Sequence, residues 1–153
     1  MKRIYTTGGC GALAEKAGAY YTEENMNCAE SVIHGANDYY HLQLNEHTLR
    51  TAAGFGGGLC IGNVCGALSG GVMALSVLFV EERAHESAVI DLVVSEYLSE
   101  AESRYGSIMC VDLKQTLPTD DEGCRRVVEA ASDLLETIVN KYSDLRVDVP
   151  QSC

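Results

Sequence analysis

A chain of 153 residues, 46% apolar and 22% charged, is long enough to fold as a single domain with its own core, so its 7 cysteines are not needed as staples. The formal net charge of −11 (11 Lys+Arg, 22 Asp+Glu) argues against nucleic acid and against an anionic membrane surface as partners. The longest apolar run, Val72 to Val80, is far short of the roughly 20 residues that span a bilayer, and no apolar segment follows "MKRIYTTGGC", so the expected location is the cytoplasm.

Six helical segments and no strand are expected, giving an all-α, compact single-domain bundle. Gly11 to about Tyr21 is alanine-rich. Asn27 to Tyr40 opens with Asn27 and, three residues later, Glu30, the spacing of a capping box. Glu46 to about Phe55 is shorter. Cys65 to Phe79 follows Asn63, a candidate cap. Glu86 to Tyr105 carries apolar residues at Val89, Leu92, Val93 and Tyr97. Glu122 to about Leu145 follows Thr119, which could pair with Glu122 as a second capping box. In this last segment Cys124, Val127, Val128, Ala131, Leu134, Leu135, Ile138, Val139 and Tyr142 recur at spacings of three and four, a wide buried stripe. Residues 1–10 and 146–153 are expected to be loose ends.

Three cysteines share one placement on these helices. Cys28 lies in a first turn, Cys65 opens a helix, and Cys124 lies in the first or second turn of the last one. A helix N-terminus offers unsatisfied N–H groups and partial positive charge, which favour thiolate over thiol. Each of the three also heads the apolar stripe of its helix, so the thiols converge if those helix ends meet. Cys110, in "YGSIMCVDL", is a fourth candidate. Cys60 stands five residues before Cys65 as a loop cysteine, and Cys10 and Cys153 are terminal. The ordinary alternative for any one of them is a small buried hydrophobe.

The glycine-rich stretch "GFGGGLCIGNVCGALSGG" does not build a nucleotide loop. A GxGxxG motif starting at Gly54 would need glycine where Leu59 stands, no strand precedes it, and there is no GK[ST]. There is no C-x2-C, so neither a thioredoxin-type site nor a zinc ribbon is supported. His34, His41, His47 and His85 form no HExxH. The glycines instead suggest close packing at the thiol site: Gly66, Gly70 and Gly71 would thin one face of the helix behind Cys65.

Five ordered blocks resemble a known family: "NCAESV" (27–32), "GFGGG" (54–58), "CGALSGGVMAL" (65–75), "YGSIMCVDL" (105–113) and "GC" (123–124). Together they are similar to the C-GCAxxG-C-C family of redox-active proteins, defined by a CGAxxG motif and four cysteines. The motif here runs from Cys65 to Gly70. The resemblance implies that the four family cysteines are Cys28, Cys65, Cys110 and Cys124. Cys10, Cys60 and Cys153 match none of them. It also implies a likeness to the C-terminal part of split-Soret cytochromes, which is associated with an iron–sulfur cluster. This chain has no CxxCH, so haem attachment is not implied.

Three functions follow from four such thiols. The leading one is an iron–sulfur cluster held by Cys28, Cys65, Cys110 and Cys124, serving electron transfer or redox sensing. The second is a metal-free thiol–disulfide oxidoreductase, pairing Cys28 with Cys65 or Cys110 with Cys124. The third is a structural zinc site with four cysteine ligands. The first two call for a redox partner protein, and a homodimer is open to the chain.

Overall fold

Asn27 shows how the bundle is assembled from local signals. In the computed structural model, which describes residues 12–117 and 123–147, its side chain accepts the Glu30 N–H at 3.0 Å, and the Glu30 carboxylate accepts the Asn27 N–H at 2.9 Å. Both halves of the capping box are therefore made. The second amide group of Asn27 donates to the Ala53 carbonyl at 2.9 Å and fastens the glycine loop over the helix start.

Seven α-helices lie among the described residues: α1 (Ala12–Glu23), α2 (Cys28–Tyr40), α3 (Glu46–Arg50), α4 (Gly66–Phe79), α5 (Ile90–Tyr105), α6 (Cys110–Thr116) and α7 (Arg125–Lys141). No strand is formed there; a single antiparallel bridge joins Val64 to Met109. α4 is the central helix, apolar on most sides, and packs on α2, α5 and α7, while α1 fills the angle between α2 and α7. The stripe expected on the last helix is present: Val127, Val128, Ala131, Leu134, Leu135, Ile138 and Val139 are all buried. Truncating Leu134 or Leu135 to alanine should cost about 2–5 kcal/mol. Tyr97 is completely buried, and its hydroxyl donates to the Ala131 carbonyl at 2.9 Å, tying α5 to α7.

Several boundaries differ from expectation. α3 stops at Arg50, and a short 3₁₀ turn (Ala53–Phe55) replaces its second half, because glycines 54, 56, 57 and 58 cannot sustain a helix there. α5 begins at Ile90 rather than Glu86. The Ser87 hydroxyl accepts the Ile90 N–H at 3.2 Å, so the serine serves the helix start. Of the apolar residues named on this helix, Leu92 is exposed. Asn63 does not cap α4. Its side chain accepts the Val64 N–H at 2.8 Å, and Cys65 itself is the N-cap residue, with no side-chain cap bond. α7 begins at Arg125 and ends at Lys141, with a 3₁₀ turn (Ser143–Leu145) beyond it. The Thr119–Glu122 capping box, Cys10 and Cys153 lie outside the described residues. α6 was not expected at all; seven residues are too few to show a helical period.

Candidate functional site

Each of the four candidate cysteines starts a helix. Cys28 is the first residue of α2 and Cys110 the first of α6, while Cys65 and Cys124 are the N-cap residues of α4 and α7. Four helix N-termini thus bring their free N–H groups and positive dipole ends to the sulfurs. The backbone N–H groups of Leu68 and Ala67, in the first turn behind Cys65, favour its thiolate.

Two backbone devices draw these ends together. The first is the bridge at Val64 and Met109. Cys65 N–H donates to the Ile108 carbonyl at 2.8 Å, and Cys110 N–H donates to the Asn63 carbonyl at 2.7 Å. The two cysteines are thereby fixed side by side on "NVC" and "IMC" before their helices diverge. The second is glycine packing. A Cβ on Gly70 would stand 2.6 Å from the Ala29 carbonyl oxygen, and one on Gly66 2.8 Å from the Phe55 carbonyl oxygen. α4 therefore approaches the first turn of α2 at Gly70 and the 3₁₀ turn at Gly66 more closely than any larger residue would allow, whereas Gly71, expected on the same face, meets Tyr97 of α5 instead.

Between them the glycine loop makes a left-handed turn. Gly57, Gly58, Leu59, Cys60 and Gly62 all have positive φ, between 59° and 74°. Gly58 is pressed against the site, since a Cβ there would lie 2.5 Å from Asn63 backbone atoms and 2.8 Å from Cys110 Cβ. Leu59 and Cys60 adopt a conformation that disfavours side chains by about 1–2 kcal/mol per residue. Cys60 is exposed, its S–H directed to the Gly54 carbonyl oxygen at 3.8 Å.

The four thiols sit in two environments. Cys65 and Cys110 are buried. Cys28 and Cys124 are half-buried and line a cleft of about 430 Å³ together with Tyr21, Gly57 and Lys114. All four form one electrostatic unit: Cys28 is influenced by Cys124, Cys65 and Cys110, and Cys65 by Cys110 and Cys124. Cys28 acts as a hydrogen-bond donor to Cys124. That bond, then burial, pushes the Cys28 thiol far up. The same bond is the main cause that lowers Cys124 to about 6, against the opposing effect of burial and with help from the Lys114 ammonium and the Tyr21 hydroxyl. Burial raises Cys65, partly offset by the Leu68 and Ala67 N–H groups. Within the pair, Cys124 is the thiol that ionises first and Cys28 the one that keeps its proton.

Among the described residues, no three histidine, cysteine, aspartate or glutamate side chains are disposed to hold a single metal ion. The four thiols are near enough to influence one another electrostatically. The sequence had singled out all four, Cys110 without a helix assigned to it. It had not found Tyr21 or Lys114, whose place depends on contacts distant in the chain.

The described residues form an all-α bundle in which four electrostatically linked cysteines start four helices. The chain belongs to the C_GCAxxG_C_C family: the family model, described as "Putative redox-active protein", matches residues 26–138. No curated protein and no solved structure matches the chain. No described helix is long and apolar enough to cross a membrane.

Proposed function

We propose that Cys28, Cys65, Cys110 and Cys124 together hold an iron–sulfur cluster, and that the protein transfers electrons or senses redox state. The observation that supports this most is that all four thiols stand at helix N-termini and act electrostatically on one another. Four thiolates are the usual ligand set of such clusters, and an anionic centre is stabilised by N–H groups and helix dipoles directed at it. The irons and sulfides of a cluster occupy the space between its ligands, so its cysteines stand further apart than those around one ion. A single zinc needs its sulfurs about 2.3 Å from a common point. The lack of any three side chains so disposed therefore weakens the zinc reading more than the cluster reading.

When bound, the cluster would supply a one-electron couple. The chain's own part is to hold the four sulfurs, to direct N–H groups at them, and to bury the Cys65–Cys110 side while leaving the Cys28–Cys124 side open to a partner protein. Thiols kept free for this purpose belong in a reducing compartment, which fits a cytoplasmic location.

A specific observation favours a second reading, a metal-free dithiol at Cys28 and Cys124. Their mutual hydrogen bond and the lowered Cys124 thiol suit disulfide exchange. The Cys124 thiolate would attack a partner disulfide and release one partner thiolate. Cys28, losing its proton, would then attack the mixed disulfide, leaving Cys28–Cys124 oxidised and the partner reduced. This pairing differs from the Cys28–Cys65 and Cys110–Cys124 pairs expected from sequence, and it assigns no task to the two buried thiols.

The test is anaerobic expression followed by assay of iron, acid-labile sulfide and visible absorption. A coloured protein with both elements is expected. A colourless protein that stays iron-free after reconstitution, but forms a reversible Cys28–Cys124 disulfide, would replace the cluster reading with the second.

A further inference from the structure

α1 reaches the site from outside the segment that defines the family, since it ends before residue 26. Its last turn docks on the start of α7. The Tyr21 hydroxyl accepts the Cys124 backbone N–H at 3.1 Å, although the two residues are 103 positions apart. The Thr22 hydroxyl accepts from Arg125 Nη1 at 3.4 Å, beside this contact. Gly123 has φ +63°, and a Cβ there would lie 2.9 Å from the Tyr21 oxygen, so glycine makes room for the hydroxyl directly above Cys124. A phenol oxygen that accepts a backbone N–H still has its own proton to give. The hydroxyl thus stands against residue 124, and it favours the Cys124 thiolate over the thiol. Tyr21 also lines the cleft onto which Cys28 and Cys124 open.

We infer that Tyr21 is a positioning residue of the redox site: it fixes the N-cap of α7 through the Cys124 N–H and donates its hydroxyl proton to the Cys124 sulfur, setting the reduction potential of the centre. The inference rests on the redox reading above and holds for either form of it. A hydrogen bond to sulfur favours the more negative, reduced state in a cluster and in a dithiol alike, so its loss lowers the potential.

The experiment compares the full-length protein with Tyr21→Phe and Tyr39→Phe in a dye-mediated redox titration, with thermal melting in parallel. Tyr39 is the control. Its hydroxyl also ties two helices, donating to Glu136 at 2.5 Å, but away from the cysteines. At a fixed poise, Tyr21→Phe should shift the oxidised-to-reduced ratio about tenfold toward oxidised. That corresponds to about 59 mV for a one-electron couple or about 30 mV for a two-electron one. Tyr39→Phe should lower the melting temperature and leave the potential unchanged. If Tyr21→Phe melts earlier but titrates like the unsubstituted protein, Tyr21 is only a brace and the inference is overturned. If the unsubstituted protein shows no couple at all, the redox reading itself is overturned and the role of Tyr21 falls with it.

Discussion

Cys65 and Cys110 differ from Cys28 and Cys124 in one respect that organises the whole site. All four begin helices, yet the first two are buried and locked by a backbone bridge, and the second two open onto a cleft. The same residue type at the same kind of helix end is therefore given two tasks. The inner pair is held by main-chain hydrogen bonds. The outer pair is held by side chains, including one from α1, and its charge state is set by its partners. Helix position alone makes a cysteine eligible for chemistry; burial and neighbours decide whether it anchors or reacts.

The strongest way to break this comparison is alkylation of the reduced, metal-free protein. Cys124 should react at least about a hundredfold faster than Cys65 or Cys110, because a buried thiol is reached only through local opening. Equal rates, read by mass spectrometry of peptides, would dissolve the distinction. Next in size is Gly66→Val. The added side chain meets the Phe55 carbonyl, where the first Cβ alone would stand 2.8 Å away. It should destabilise the protein by about 1–3 kcal/mol in a denaturant titration and disturb cysteine chemistry while helicity by circular dichroism is kept.

The pH profile sharpens the outer half. Cys124 is lowered to about 6, so its thiolate, and with it the alkylation rate, should be lost as pH falls through 6. The rate at pH 8 should exceed that at pH 5 by about tenfold after correction for reagent reactivity, because about a tenth of the group is ionised one unit below its pKa. A midpoint near 8.5, the ordinary thiol value, would show that Cys28 and Tyr21 do not act on it. The smallest effect is expected from Lys114→Gln. Lys114 is exposed and contributes less than the Cys28 hydrogen bond, so the rate at pH 6 should fall only about twofold.

Much of this arrangement could be read from the residues alone. The capping box at Asn27 and Glu30 placed Cys28 in a first turn, and the stripe from Val127 to Val139 placed Cys124 at the head of the last helix. Those signals are local, so they survive in sequence. What was missed depends on distant pairing. The bridge between Val64 and Met109 is one residue pair long and has no alternating pattern to reveal it. The bond from Cys124 to Tyr21 crosses 103 residues. Asn63 looked like a cap because asparagine just ahead of a helix often is one; here its side chain is spent on the Val64 N–H and its backbone carbonyl on the distant Cys110 N–H.

The central claim is that inner and outer pairs serve one centre. Native mass spectrometry of anaerobically prepared protein tests it most directly, comparing the unsubstituted chain with Cys28→Ser, Cys65→Ser, Cys110→Ser, Cys124→Ser and Cys60→Ser. The unsubstituted chain and Cys60→Ser should carry iron and sulfide as one unit, and each of the other four should retain at least about tenfold less. Full retention in Cys65→Ser and Cys110→Ser, or no iron in any of the proteins, would contradict the account.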